Sequence, residues 1–209
     1  MNSSIQRDDI INAIRRVGQA LIDQQDYLTS LDQAVGDGDL GINMGRIGQA
    51  LLEYVENTPL EDIGKYLFQL STVINRTAPS TLGTLTAGAV LSAAKTVRDK
   101  TALEPTDLAA MLQAADEGIQ SRGKARPGDK TIVDALHPAS EAFAAAIRDG
   151  AGLQAAATAA IAAAEAGRDS VTPLRSRVGR ASWVGERTEG QVDPGCAMFV
   201  LTLKALANR

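Results

Sequence analysis

Residues 142–166, AFAAAIRDGAGLQAAATAAIAAAEA, indicate the fold class, because 14 of these 25 positions are Ala. Alanine has the highest helix propensity, and its small side chain lets neighbouring helices approach closely. The stretch holds no Pro and no run of charges, so it favours tightly packed helices over disorder. Aromatic residues make up only 3% of the chain, which is typical of a helical core and not of a β-sandwich.

Apolar residues recur at helical spacing on both sides of this stretch and predict about eight helices. Their approximate bounds are 10–21, 42–55, 60–74, 79–97, 105–119, 133–147, 153–166 and 196–206. No strand pair, tandem repeat or low-complexity linker interrupts them. We therefore expect one all-α domain over residues 1–209, with antiparallel neighbours because the connections are short.

The composition narrows the classes of function. The 21 Lys and Arg against 25 Asp and Glu give a net charge of −4, which argues against a nucleic-acid partner. The one cysteine, Cys196, excludes an intrachain disulfide and fits a reducing compartment. The one histidine, His137, argues against a histidine-based zinc site or a Ser-His-Asp triad. No apolar run reaches 18 residues, so we expect a cytoplasmic protein without a membrane span.

The order of the helices predicts where a functional site lies. In an antiparallel bundle, alternate connections emerge at the same end. The connections after the first, third, fifth and seventh predicted helices are the loop 32–43, the segment 79–88, the loop 121–131 and the loop 167–195. These four segments are rich in polar residues and Gly, so we expect them to form one site.

The loop 32–43 places Asp32, Asp37 and Asp39 close together among three glycines. Three carboxylates in so short a span repel one another unless a cation offsets them. Hard cations such as Mg²⁺ and Ca²⁺ prefer oxygen ligands, and the spacing alone does not choose between the two. A solvated Asp/Gly turn is the alternative interpretation.

The other three segments carry groups suited to phosphate. Ser80, Thr81 and Thr84 lie at a predicted helix start, where free N–H groups and the helix dipole favour anions; ordinary N-capping is the alternative. Basic residues with Gly-rich backbone suit polyphosphate, although a solvated loop is the alternative. These basic residues are Lys124, Arg126, Lys130, Arg180 and Arg187. We expect His137 to lie in the core or on a helix surface and Cys196 to pack at a helix start, and neither to take part in chemistry.

The chain resembles a known family in four segments, which are GDGDLGINM (36–44) after Asp32, GTL (83–85), RGKARPGDKTIVDAL (122–136) and GRASWVGERTEGQVDPG (179–195). This family is the nucleotide (ADP)-binding subunit of dihydroxyacetone kinase, the DhaL family. The resemblance covers roughly residues 8–206 and implies a closed barrel of eight antiparallel helices with a nucleotide at one end.

The resemblance also assigns residues. It implies that Asp32, Asp37 and Asp39 hold two Mg²⁺ ions that bridge the phosphates of ADP or ATP, and that Arg180 is catalytic. The implied nucleotide contacts are Leu40, Gly41, Ile42, Asn43, Thr81, Leu82, Gly123, Ile132, Arg180, Asp193, Pro194 and Gly195. Three positions depart from the family pattern: Leu40 and Gln191 replace His, and Leu82 replaces Ser.

The implied function is half of a kinase. In the family, a separate DhaK-like subunit or domain holds the ketose covalently through a histidine, and we expect the 209 residues to be too few to include it. The phosphoryl donor is either free ATP or, through a DhaM-like phosphocarrier, a bound ADP that is rephosphorylated in place. We also expect a homodimer. The alternatives are an ATP-dependent tetrulose kinase subunit, a nucleotide-sensing adaptor for a transcription regulator, and an accessory module that keeps only the fold.

Overall fold

A computed structural model describes residues 4–208 of the chain. Within these residues the structure has ten α-helices and one short 3₁₀ helix, Gly185–Thr188. The α-helices are α1 (Arg7–Asp23), α2 (Gln25–Val35), α3 (Leu40–Asn57), α4 (Ile63–Thr77), α5 (Thr81–Thr96), α6 (Pro105–Gly123), α7 (Val133–Arg148), α8 (Leu153–Val171), α9 (Ala181–Val184) and α10 (Pro194–Ala207). The predicted all-α fold is confirmed.

Eight of these helices form a closed ring. In chain order these helices are α1, α3, α4, α5, α6, α7, α8 and α10. Each one packs against the next, and α10 packs against α1, which closes the ring. The expected barrel of about eight helices is therefore confirmed, with α2 and the short α9 added to it. One isolated antiparallel bridge, between Ile5 and Leu103, is the only β pairing within residues 4–208.

The connections alternate between the two ends of the ring. At one end, the N-terminal segment pairs with the α5–α6 connection through Ile5 and Leu103, and the Ile63 N–H at the start of α4 donates to Lys100 O at 2.9 Å. The connections α2–α3, α4–α5, α6–α7 and α8–α10 meet at the other end. The predicted convergence of alternate loops is thus confirmed.

Small residues allow the closest helix crossings. In α7 and α8, five alanines are fully buried: Ala135, Ala139, Ala156, Ala160 and Ala164. A Cβ atom on Gly167 of α8 would lie 2.0 Å from Asp134 O of α7, a separation that only glycine permits. The Ala-rich stretch therefore packs as its composition predicts.

The acidic loop is shorter than predicted. Helix α2 continues to Val35 and α3 begins at Leu40, which leaves only residues 36–39 as loop. The sequence predicts a longer loop because Gly36, Gly38 and Gly41 interrupt the apolar pattern. Gly41 lies inside α3, where a Cβ atom would meet Gln25 O at 2.1 Å, so this glycine serves close packing and does not delay the start of the helix.

Among the described residues, no helix is both long enough and apolar enough to cross a membrane.

Candidate functional site

A cleft of about 190 Å³ lies at the end of the ring where the four connections meet. Each of the four predicted segments contributes to it. Its lining residues are Asp32, Val35, Gly36, Asp37, Asp39 and Leu40; Ser80, Thr81, Leu82 and Leu85; Lys130, Thr131 and Ile132; and Val178, Arg180, Ala181, Asp193, Pro194 and Gly195.

The three carboxylates of the acidic loop converge in this cleft. Asp32, Asp37 and Asp39 each offer an oxygen, and these oxygens lie within 4.8 Å of one another. Within residues 4–208 they are the only group of three or more His, Cys, Asp or Glu side chains placed to share an ion. Such a set of hard oxygen donors suits Mg²⁺ or Ca²⁺.

Local backbone geometry holds the carboxylates together. Asp32 Oδ2 accepts a hydrogen bond from Leu40 N at 3.1 Å, which fixes the start of α3 against the end of α2. A Cβ on Gly36 would lie 2.6 Å from Asp32 Oδ1, and Gly38 has a φ of +78°, a conformation that L side chains rarely adopt. The glycines between the aspartates are therefore needed for the turn.

Four helices begin at the cleft: α3, α5, α7 and α10. This follows from the antiparallel ring, in which every second helix starts at the same end. Each helix start presents unpaired N–H groups and about half a positive charge, which favours anions. In α5 the Ser80 hydroxyl accepts from Gly83 N at 3.1 Å, so Ser80 is the N-cap, while Thr81 and Leu82 lie in the first turn.

The cation of the cleft is Arg180, which lies in the α8–α10 connection just before α9. Its guanidinium donates to the Asp37 carboxylate. The two side chains are 54% and 50% exposed, so the pair contributes little to stability. The guanidinium consequently remains available to another anion entering the cleft.

Lys130 differs from its sequence interpretation. The sequence predicts that it contacts phosphate together with Lys124 and Arg126, but Lys130 is only 2% exposed. Its ammonium donates to three backbone carbonyls, Thr172 O at 2.7 Å, Leu174 O at 2.8 Å and Thr188 O at 2.5 Å. Burial lowers the pKa of Lys130, and the nearby Asp193 carboxylate opposes that shift. With its three donors occupied, Lys130 binds the protein's own backbone and not a phosphate.

Asp193 caps α10 from inside the cleft. Its Oδ1 accepts from Cys196 N at 2.7 Å, and burial raises the pKa of its carboxyl to about 6. The Cys196 thiol is fully buried, donates to Thr131 O at 2.9 Å and has a pKa raised by burial. A thiol held in its neutral form is a packing group, as expected from the sequence, and not a nucleophile.

His137 lies on α7 and is not among the residues that line the cleft. Its Nδ1 is 2.8 Å from Asp116 Oδ2, and this hydrogen bond raises the pKa of His137. The imidazole therefore belongs to the contact between α6 and α7 and not to the site.

The structure brings together most of the predicted site residues. Those that line the cleft are Asp32, Asp37, Asp39, Leu40, Thr81, Leu82, Ile132, Arg180, Asp193, Pro194 and Gly195. Four lie outside the lining: Gly41, Ile42, Asn43 and Gly123. Gly41 is buried against α2, Ile42 is 44% exposed, and a Cβ on Gly123 would lie 3.5 Å from Leu85, which lines the cleft. Their assignment as nucleotide contacts stays a prediction.

Several lining residues lie inside the predicted segments but receive no role from the sequence. They are small, apolar or hydroxyl-bearing: Val35, Leu85, Thr131, Val178 and Ala181. Each is next to, or one helical turn from, a residue that the motifs did single out. Apolar side chains carry no chemical signal of their own, so only that adjacency could have identified them.

Comparison with known proteins places this cleft in a family. Residues 34–208 match the DAK2 domain. The chain is 32% identical over 208 residues to the ADP-binding subunit DhaL of the PEP-dependent dihydroxyacetone kinase of Escherichia coli (strain K12), covering 99% of both chains. It is 29% identical to the corresponding subunit of dihydroxyacetone kinase 1 of Listeria innocua, covering 96% of this chain and 95% of that one.

Other relatives are longer. The chain is 32% identical to the human Triokinase/FMN cyclase, covering 92% of this chain and 33% of the human protein. The fold matches the crystal structure of the dihydroxyacetone kinase of C. freundii with a TM-score of 0.77 and 23% identity, covering 97% of this chain and 35% of that one. The same enzyme in complex with AMP-PNP and Mg²⁺ matches with a TM-score of 0.74 and 22% identity, covering 99% and 35%. The chain therefore belongs to the DAK2 domain family, whose relatives named here are dihydroxyacetone kinases, their subunits and triokinases.

Proposed function

We propose that this chain is the nucleotide-binding, phosphoryl-donating subunit of a dihydroxyacetone or other short-chain ketose kinase. The observation that carries the proposal is one cleft that combines three carboxylates within 4.8 Å, four helix starts and Arg180. The name of the E. coli relative, an ADP-binding subunit of a kinase, supports it over nearly the whole chain.

The acidic cluster fits Mg²⁺. Asp32, Asp37 and Asp39 supply hard oxygen donors, and the remaining ligands of the metal are usually water and substrate phosphates. The C. freundii enzyme, which shares the fold, has been crystallised with AMP-PNP and Mg²⁺. The metal would neutralise charge on the phosphate oxygens. Two ions stay our prediction from the family resemblance.

The rest of the cleft would hold the nucleotide and act on the transferred group. The first-turn N–H groups of α5, at Thr81 and Leu82, would bind phosphate oxygens. The backbone supplies these donors, so the replacement of Ser by Leu82 leaves them in place. Arg180 would stabilise charge that develops during transfer, since its planar guanidinium can bind two oxygens at once.

The acceptor would come with a partner. The only histidine of the chain, His137, lies outside the cleft, so it does not hold a ketose there. A ketose on a DhaK-like subunit would then meet the phosphoryl group at the open side and exclude water. A DhaM-like phosphocarrier as donor, a homodimer and a cytoplasmic location remain predictions.

The test combines the purified chain with separate acceptor and donor components. With ATP, Mg²⁺ and a panel of dihydroxyacetone and tetruloses, the chain alone should show at most slow hydrolysis. Adding the cognate ketose-binding subunit should produce ketose phosphate. Robust phosphorylation of a ketose by the chain alone would contradict the half-enzyme proposal, and so would Mg-nucleotide binding without transfer to any subunit-bound ketose.

A matched measurement identifies the donor. Native mass spectrometry of the purified chain shows whether ADP is retained. A retained ADP that a phosphocarrier rephosphorylates without release supports the phosphocarrier branch. Rapid exchange with labelled ATP supports the ATP branch, and with it the alternative of an ATP-dependent tetrulose kinase subunit.

A further inference from the structure

The segment that carries Arg180 is a long loop with little structure of its own. We call residues 172–190 the arginine loop. It contains only α9, of four residues, and a four-residue 3₁₀ helix. Helices this short are unstable in isolation, so other contacts must fix the loop. The position of Arg180 beside Asp37 depends on those contacts.

The two ends of the arginine loop meet at one buried cation. A lysine ammonium has three hydrogen-bond donors and no acceptor. The Lys130 ammonium donates to Thr172 O and Leu174 O at the start of the loop and to Thr188 O near its end. Lys130 is 2% exposed and Thr188 is fully buried. A single side chain from the α6–α7 connection thus joins both ends of the loop.

Three hydrogen bonds of backbone amides near Lys130 also join the ends of the arginine loop to each other or to the α6–α7 connection. Gly190 N donates to Thr172 O at 2.9 Å, and Arg177 N donates to Asp129 O at 3.0 Å, next to Lys130. Ser176 N donates to the Thr188 hydroxyl at 3.0 Å. Three amides of the loop therefore report directly on whether its base is closed.

The exposed ion pairs of the loop are the weaker contacts. Arg175 pairs with Glu186 at 2.8 Å and with Glu189 at 3.1 Å, but all three side chains are about half exposed or more. Exposed pairs contribute little, whereas hydrogen bonds from a buried charged group are costly to lose. Thr172 O and Thr188 O also accept from Gly190 N and Gln191 N, so Leu174 O depends most on the Lys130 ammonium. The backbone of Lys130 also has a φ of +60°, an uncommon conformation for a residue other than glycine. The fold keeps a lysine at this unfavourable position, where its side chain has specific partners.

We propose that Lys130 is a positioning residue whose buried ammonium clamps the base of the arginine loop and so holds Arg180 at the acidic cluster. Its three donors are taken by backbone carbonyls, so it acts on the reaction through Arg180. The clamp itself follows from the structure alone; its consequence for phosphoryl transfer rests on the proposed function. The two parts are therefore tested separately.

Hydrogen exchange tests the clamp without any ligand. Lys130→Met keeps a side chain of similar length and removes the donors, and Lys124→Met, at an exposed position in the same connection, is the control. In Lys130→Met we expect exchange about tenfold faster or more in peptides covering residues 172–190, because losing a hydrogen bond from a buried charged group corresponds to about that factor or more. Exchange in α3 and in the control should match the wild type. The anisotropy of Trp183, the only tryptophan and 88% exposed in this loop, should fall in Lys130→Met alone.

Two results would overturn the clamp. Unchanged exchange in residues 172–190 would show that other contacts hold the loop, and equal acceleration in α3 would show that Lys130 supports the whole fold. If Lys130→Met does not fold, Lys130→Gln takes its place, since it keeps two N–H donors on a side chain one bond shorter. The same loop-specific acceleration is then expected at a smaller size.

Kinetics with the ketose-binding subunit test the link to Arg180. Lys130→Met should lower the transfer rate about tenfold or more in the wild-type background and less than about twofold in an Arg180→Ala background, because the two changes act on one interaction. Multiplying losses would overturn the positioning role. If the wild type transfers no phosphate, the proposed function fails, while the exchange result still decides the clamp.

Discussion

Replacing Asp39 by Asn tests the acidic cluster with the fewest side effects. Asp39 precedes α3 but makes no side-chain capping bond, whereas Asp37 is engaged by Arg180 and Asp32 by Leu40 N. The cluster oxygens lie within 4.8 Å of one another, so each like-charge pair costs about 0.9 kcal/mol in a water-like dielectric. Removing Asp39 relieves two such pairs, and salt and the neighbouring guanidinium reduce the gain. We expect the metal-free variant to be between equally stable and about 1.5 kcal/mol more stable, a rise in Tm of up to about 5 °C.

The Asp39→Asn change should also abolish Mg²⁺-dependent nucleotide binding. Loss of one of three carboxylate ligands should weaken Mg²⁺-dependent ADP binding by at least about 100-fold, measured by isothermal titration calorimetry. Asp26→Asn, which removes the same charge from the exposed first turn of α2, is the control and should bind as the wild type does. Binding by Asp39→Asn within about threefold of the wild type would refute the metal-site reasoning. A metal-free variant less stable by more than about 1 kcal/mol would show that the carboxylate has a structural role instead.

Three further substitutions test separate parts of the structure. Arg180→Lys should lower the transfer rate with the ketose-binding subunit at least about tenfold while nucleotide affinity changes little, because lysine lacks the bidentate fork. Gly41→Ala should destabilise the ligand-free protein by about 1–3 kcal/mol in urea unfolding, since the new Cβ would lie 2.1 Å from Gln25 O. His137→Gln should cost about 1 kcal/mol at pH 5.5 and less at pH 9, because the hydrogen bond to Asp116 raises the pKa of His137 above its unfolded value of about 6.5. That stabilisation is fully present below pH 6.5 and is lost as the pH rises through the folded pKa.

Controls separate these outcomes from general damage. Equal loss of binding and rate in Arg180→Lys would mean that Arg180 binds only the ground state. Gly152→Ala, at a site with no atom within 4 Å of the new Cβ, should leave stability nearly unchanged. If Gly41→Ala is as stable as the wild type but binds nucleotide poorly, Gly41 contacts the ligand as the family resemblance implies. A pH-independent cost of His137→Gln would mean that the imidazole packs without its charge.

The sequence predicts the antiparallel helices and the convergence of the loops because both depend on helix order, whereas the closed ring follows only from the family resemblance. Eight periodic segments with short connections allow few arrangements, and antiparallel order alone puts every second connection at one end. The glycines are the main reason why the predicted bounds of the acidic loop differ from the observed ones. Gly38 lies in the acidic loop and has a positive φ, whereas Gly41 and Gly48 lie inside α3 and permit close helix contacts. The sequence pattern does not distinguish a glycine that forms a turn from one at a helix contact.

Long-range polar contacts were also beyond the sequence. Lys130 lies in a basic, Gly-containing segment that resembles a phosphate-binding loop. Its actual partners, the carbonyls of Thr172, Leu174 and Thr188, are more than 40 residues away and bear no side-chain signature. Backbone acceptors have no sequence identity, so a buried cation that binds them cannot be told from a solvent-exposed one until the fold is known.

The charges around the cleft explain why metal and nucleotide should bind as one unit. Four helix starts of about half a positive charge each contribute about +2, and Arg180 adds one more. Asp32, Asp37 and Asp39 contribute −3, and the buried Lys130 and Asp193, which also line the cleft, offset each other. The walls of the cleft are therefore close to neutral as a whole but strongly divided within it. A bare polyphosphate is attracted by the helix starts and repelled by the carboxylates, and a bare Mg²⁺ meets the opposite pair of forces. Only a ligand that carries a cation next to a polyanion matches both regions, because each of its charges then faces a wall of opposite sign.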